Sequence, residues 1–276
     1  MAIAKKTIAK KKSVEPQTVL VTGASSGIGE ALAHCFAADG HRLVLVARSV
    51  DKLEAIAAGL HEAHGVKVTV LPADLSLPDA ARALAGALKR RRIAIDVLVN
   101  NAGVLDQGAF TAIPAARHQA LIDLNVSGLT SMVAQFLPDM VKRGRGRILN
   151  VASIAAFQPV PSLATYAASK AYVLSLTESL AEELQGSGVS VTALCPGITA
   201  TGMLAGAAQA NPQLSRLPKF LIGEVNEVAA QGYRACMEGE VIKVPGVVNL
   251  AATIASAATP KWMMRRIAGA LFRKAM

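Results

Sequence analysis

The passage from Thr18 to Phe36 restricts this chain more than any other. An apolar run, TVLVT, meets the turn Thr22-Gly23-Ala24-Ser25-Ser26-Gly27-Ile28-Gly29, and Ile28, Leu32, Cys35 and Phe36 follow at helical spacing. Strand, turn and helix in that order gather free backbone N–H groups and the positive end of a helix dipole at one point, where a dinucleotide pyrophosphate can sit. Gly23, Gly27 and Gly29 let the backbone turn and approach such a ligand, and Thr22, Ser25, Ser26 and Ile28 complete the candidate binding turn. Tight turns need glycine whatever they bind, so the flanking strand and helix carry the inference. The spacing is TGxxxGxG, not GxGxxG.

The alternation continues. Strands are expected at Arg42 to Ala47, Lys67 to Leu71, Val97 to Asn100, Arg147 to Val151 and Ser190 to Cys195. Helices are expected at Asp51 to His64, from Pro78 to about Lys89, after Asn125 and after Thr165. This pitch implies right-handed βαβ crossovers and an α/β fold, a doubly wound parallel, Rossmann-like sheet in a single domain. With 52% hydrophobic and 17% charged residues, most of the chain should be packed. The expected organisation is a basic, disordered tail over 1–16, a catalytic domain over 17–250 with a last edge strand at Val241 to Val244, and a helical, amphipathic extension over 251–276 broken at Pro260.

A net charge of +10 would suggest an anionic partner if one face carried it. It sits at the ends instead: five lysines before Pro16 against Glu15 alone, and Lys261, Arg265, Arg266, Arg273 and Lys274 near the other end. The clusters Lys89 to Arg92 and Lys142 to Arg147 read as solvated helix ends, so no specific nucleic acid partner is expected. Cys35, Cys195 and Cys236 match neither a metal pattern nor a disulfide framework; no metal is expected, and free thiols point to a reducing compartment. Neither a secretory apolar stretch nor a spanning helix is expected, which makes the cytoplasm the default location.

Two places carry chemistry. The second strand ends Ala47-Arg48-Ser49, where an adenosine ribose would lie; Ala47 offers no carboxylate for a free 2′-hydroxyl, whereas Arg48 and Ser49 suit a 2′-phosphate. The cofactor expected is therefore NADP(H). Farther on, Tyr166 and Lys170 stand at i and i+4 and emerge on one helix face, where an ammonium can stabilise a phenolate whose unperturbed pKa lies near 10. Ser153 completes the set. Tyr172 reads as a packing residue, and the five histidines as surface or helix-end residues without a triad pattern.

Together these residues resemble the short-chain dehydrogenase/reductase (SDR) family over roughly Thr18 to Met203. The likeness rests on the turn Thr22 to Gly29, Asp74-Leu75, Asn100-Asn101-Ala102-Gly103, Asn125, Ser153, Tyr166-x-x-x-Lys170 and Pro196-Gly197 followed by Thr201. It implies that Asp74 and Leu75 contact the adenine and that Asn101, Ala102 and Gly103 support the cofactor cleft. It further implies that Lys170 also binds the nicotinamide ribose and that the loop Pro196, Gly197, Thr199, Thr201 holds the carboxamide. Ser153 would polarise the substrate oxygen, Tyr166 would exchange the proton, Lys170 would tune Tyr166, and Asn125 would anchor a relay water. Ser26 departs from the basic residue of many NADP-preferring members, so the preference leans on Arg48.

The expected function is a hydride exchange between the nicotinamide and a small carbonyl or secondary alcohol substrate with a lipophilic body. The alternative is an NADP(H)-binding sensor or scaffold without turnover. The likeness also implies a homodimer or homotetramer, with Ala167, Ala171, Leu174, Leu176 and Leu180 and the helix after Asn125 burying apolar surface between copies. The segment from Pro260 to Met276 is expected to be an amphipathic helix that covers the pocket, lies peripherally on a membrane, or packs on the subunit or its partner.

Overall fold

The structure, a computed structural model, describes residues 15–200 and 222–260 together with 262, 263, 265, 266 and 269. Seven parallel strands, β1 (Thr18–Thr22), β2 (Arg42–Val46), β3 (Val68–Val70), β4 (Val97–Asn100), β5 (Gly146–Val151), β6 (Val189–Leu194) and β7 (Ile242–Lys243), form one sheet in the order β3-β2-β1-β4-β5-β6-β7. Side chains alternate across a strand, so each apolar run feeds two cores. Leu20, Val44, Leu98 and Ile148 point into one, beneath α3 (Ala80–Arg90), α5 (Leu129–Lys142) and α6 (Ala164–Glu183). Val19, Val21, Leu45, Val99 and Leu149 point into the other, beneath α1 (Gly27–Ala38), α2 (Val50–His64) and α7 (Val225–Glu238). This is the expected doubly wound sheet. Its order reverses at β1, with β4 on one side and β2 on the other, which opens a crevice at the carboxyl ends of β1 and β4.

Several boundaries differ from the sequence reading. The helix expected after Asn125 begins earlier: α4 (Ala115–Ile122), a π-helical segment (Asp123–Gly128) and α5 form one continuous helical run. Its apolar stretch is long enough to span a bilayer by length and composition, but Leu121, Asn125, Met132, Phe136 and Met140 are buried in the protein. The edge strand shrinks to the two residues of β7. The extension drawn from residue 251 starts instead with α8 (Val247–Ala258), which Gly246 opens at φ +86, so the boundary at 250 falls inside a helix. The tail over 1–14, Thr201, and Ile267, Ala270 and Leu271 of the expected terminal helix lie outside the described residues.

On α6 the stripe assigned to a partner copy is largely used within the chain. Ala167 and Leu174 are buried, and Leu176 and Leu180 pack on the sheet's core. Tyr172 reverses its expected role: it is exposed, and its hydroxyl meets Thr130 Oγ1 at 2.9 Å. His41 is also no surface residue. It is fully buried beside Phe36, its Nδ1 accepts from Gln17 N at 3.1 Å, and burial pushes its pKa down.

Candidate active site

The crevice holds a cleft of about 550 Å³ that runs from Arg48, Ser49 and Asp74 past the glycine-rich turn to Ser153, Tyr166 and Lys170. Gly23 and Gly27 both take φ +61, a conformation open to glycine. Gly29 has no room for a side chain, because a Cβ there would come within 2.4 Å of the Gly23 carbonyl and of Asn101 Nδ2. Ser26 occupies the N-cap of α1 in an extended conformation without capping through its side chain, so the first-turn N–H groups stay available beside the cleft. Ser25, Ser26, Gly27 and Ile28 line the cleft, whereas Thr22 lies behind it. Thr22 Oγ1 donates to Val99 O at 3.1 Å and accepts from Asn101 N and Ala102 N at 2.9 and 3.1 Å. Asn101 Nδ2 donates to the carbonyls of Thr22 and Gly23 at 3.0 and 3.1 Å. The turn and the Asn101–Gly103 loop are thus locked together.

Asp74 and Leu75 line the cleft at the Arg48 end. Asp74 Oδ1 accepts from Ser76 Oγ at 2.7 Å and from Ser76 N at 3.0 Å, and these bonds hold its carboxyl below the usual pKa. At the other end, Ser153 closes β5 and caps the 3₁₀ turn Ile154–Phe157, accepting from Ala155 N at 3.1 Å. Pro196 and Gly197 also line the cleft; Thr199, buried, donates to Gly197 O at 3.0 Å.

Tyr166 and Lys170 project from one face of α6, as their spacing requires, and both are buried. The electrostatics differ from the sequence expectation. Burial raises the Tyr166 pKa, and a hydrogen bond with Ser153 offsets this only in part. Lys170 Nζ donates to Val151 O at 2.8 Å and lies 5.7 Å from the Tyr166 ring centroid, and burial lowers its pKa to about 8. In this geometry desolvation outweighs any depression of Tyr166 by the ammonium. Cys195 lies near Lys170, but burial pushes its thiol up to about 12, so it stays neutral.

Asn125 sits in the π-helical segment, outside the cleft lining, with its carboxamide committed: it donates to Val104 O and accepts from Val104 N, both at 2.9 Å, and donates to Ser169 Oγ at 3.2 Å. Ser169 Oγ donates in turn to the Tyr166 carbonyl at 2.7 Å. This clamp on the first turn of α6 was missed from sequence, as was the buried chain in which Thr177 Oγ1 accepts from Asn150 Nδ2 and Asn150 Oδ1 accepts from Asn100 Nδ2. Carboxamides inside apolar strands were the available signal. Gln107 and Gln158 also line the cleft, without a side-chain hydrogen bond among the described residues.

A doubly wound parallel sheet with a glycine-rich turn at its switch point, joined by one cleft to a buried Ser, Tyr and Lys, defines a dinucleotide-binding protein with an oxidoreductase-type site. The profile of the family described as short chain dehydrogenase matches residues 17–212, and the chain belongs to that family. Oxidoreductase UcpA of Salmonella typhimurium is 38% identical over 198 residues, 71% of this chain and 74% of that protein. A short-chain dehydrogenase from Sphingobium yanoikuyae in complex with NADPH is 35% identical with a TM-score of 0.77, covering 88% of this chain and 96% of that one. One from Burkholderia phymatum in complex with NAD is 28% identical with a TM-score of 0.79, covering 88% and 93%. The similar proteins thus bind nicotinamide cofactors of both kinds.

Proposed function

We propose that this protein is an NADP(H)-dependent oxidoreductase that interconverts a carbonyl group and a secondary alcohol on a small, neutral, lipophilic substrate. One observation carries the reading: Arg48 and Ser49 line the same cleft as Ser153, Tyr166 and Lys170. The residues present fit the cofactor. The side-chain-free approach at Gly29 and the open first turn of α1 suit a pyrophosphate, Asp74 and Leu75 suit the adenine, and Arg48 with Ser49 suits a 2′-phosphate where Ala47 offers no carboxylate. Asn101, Ala102 and Gly103 would support the ribose side, Lys170 the nicotinamide ribose, and Pro196, Gly197, Thr199 and Thr201 the carboxamide.

When bound, NADP(H) supplies or takes up the hydride. In reduction, Tyr166, kept protonated by its raised pKa, gives its proton to the substrate oxygen while the Ser153 hydroxyl hydrogen-bonds that oxygen. Lys170, cationic below about pH 8, stabilises the negative charge that Tyr166 acquires. The substrate end is walled by Val104, Leu105, Val160 and Leu163, with Gln107 and Gln158 as neutral donors and acceptors. No charge other than Lys170 lines that end among the described residues, which favours a neutral substrate. A sensor or scaffold without turnover would not need Ser153, Tyr166 and Lys170 together. Family likeness supports a homodimer or homotetramer, and three free thiols suit the cytoplasm.

Calorimetric titration with NADPH and NADH tests the cofactor half. NADPH should bind more tightly, and Arg48→Ala should narrow the gap by roughly 1 to 3 kcal/mol, the loss of a charge-assisted contact. Equal dissociation constants in the unmutated protein would overturn the preference. NADPH binding without turnover on a broad panel of ketones and aldehydes would favour the sensor.

A further inference from the structure

Helix α8 (Val247–Ala258) is oriented against the usual rule for a helix on a globular protein, which buries its apolar stripe and exposes its polar one. Its inward stripe is Asn249, Thr253 and Ser256, spaced four and three residues apart. Thr253 and Ser256 are buried, and Ser256 Oγ donates to Phe157 O at 3.3 Å, fastening the helix to the 3₁₀ turn after Ser153. Asn249 abuts Gly197 so closely that a Cβ there would come within 2.5 Å of its Nδ2. The outward stripe is apolar: Val247 is 85% exposed and Ile254 61%, with Val248 and Leu250 exposed beside them. Past Pro260, Trp262 at 56% and Met263 continue the exposed apolar surface.

Charge indicates what covers this face. From Pro260 to Met276 the sequence holds five basic residues and no acidic one. Arg265 and Arg266 are exposed, and the Arg266 guanidinium lies 5.8 Å from the Trp262 ring centroid. A second copy would oppose like charges, whereas a bilayer of anionic lipid offers both an apolar layer and a negative rim. We propose that the outer face of α8, with Trp262, Met263, Arg265 and Arg266, docks the protein on an anionic lipid surface. Val247, Leu250 and Ile254 enter the headgroup–acyl boundary, and Arg265 and Arg266 pair with lipid phosphates. The docked face lies on the side of α8 opposite its contacts with Phe157 and Gly197, and its docking does not depend on the enzymatic reading.

The test is sedimentation of the full chain with phosphatidylcholine vesicles with and without phosphatidylglycerol. The expected result is at least tenfold stronger partitioning to the phosphatidylglycerol vesicles, weakened by salt. Leu250→Asp with Ile254→Asp should abolish it, and Arg265→Gln with Arg266→Gln should reduce it roughly thirtyfold. All four side chains point to solvent, so thermal melts should match the parent protein. Three results would overturn the proposal: no preference for the anionic vesicles, unchanged binding by both double variants, or a fall in oligomeric mass of Leu250→Asp/Ile254→Asp without lipid, which would give the face to a second copy.

Discussion

Helices α6 and α8 both pack on the 3₁₀ turn Ile154–Phe157, and both turn polar groups inward, yet they do so differently. Helix α6 buries a phenol and an ammonium, each displaced by burial from its ordinary ionisation in the direction of the neutral form. Helix α8 turns neutral groups inward that bond locally: Asn249 Nδ2 donates to Pro245 O at 2.8 Å and Thr253 Oγ1 to Leu250 O at 2.8 Å. A buried charge costs stability and is tolerated where it does work, which fits the proposed role of α6 as the chemical wall of the cleft. Satisfied neutral groups cost little and position nothing reactive, which marks α8 as a seat whose importance lies on its other side.

The largest expected effect that separates the two is on turnover. Tyr166→Phe removes the proposed proton donor but little surface, so kcat should fall by about 10² to 10⁴ while the NADPH dissociation constant stays within a few-fold. Retained turnover on a genuine substrate would mean that the proton comes from elsewhere, and α6 would lose its distinction.

Next is the ammonium. Folding lowers the Lys170 pKa from 10.5 to about 8, so the charged form is disfavoured in the folded protein. The cost is fully present below about pH 8 and is relieved as pH rises toward 10.5, because there the unfolded chain holds the proton and the folded one does not. Lys170→Met should therefore stabilise the cofactor-free protein at pH 7 by on the order of 1 to 3 kcal/mol and lose that advantage near pH 10, while turnover falls. In the parent protein, carbonyl reduction should decline above about pH 8. Urea melts at the two pH values check the first claim, and a pH–rate profile checks the second. A variant less stable at both pH values would show that the Val151 contact outweighs desolvation.

The same contrast explains what could be read in advance. The seven-strand alternation, the glycine-rich turn and the Tyr166–Lys170 pair depend on local spacing, so they were legible, whereas Ser153 came with the family likeness. The direction of the Tyr166 shift was not, because it depends on how deeply α6 is buried, and spacing carries no information on burial. Nor was the Asn125–Ser169 clamp, which joins a π-helical segment to α6 across 44 positions of sequence. For α8 the sequence pointed to an apolar stretch, but which side faces the protein is set by the Phe157 carbonyl and Gly197, elements far away along the chain.

The smallest expected effect tests whether α8 is merely seated. Ser256→Ala removes one long hydrogen bond to Phe157 O and leaves a carbonyl at a partly open site, so global stability should fall by only about 0.5 to 1 kcal/mol. Local opening should respond more, because few other bonds tie α8 down. Amide exchange over Val247 to Ala258 should quicken several-fold while exchange in α6 is unchanged. Turnover should stay within about twofold, since neither Ser153 nor Tyr166 loses a partner. A loss of 2 kcal/mol or more would instead make α8 part of the core, because a single neutral hydrogen bond does not account for so much. Slowed turnover at unchanged stability would mean that Phe157 transmits the seat of α8 to the turn that Ser153 caps, and the two helices would then be one unit.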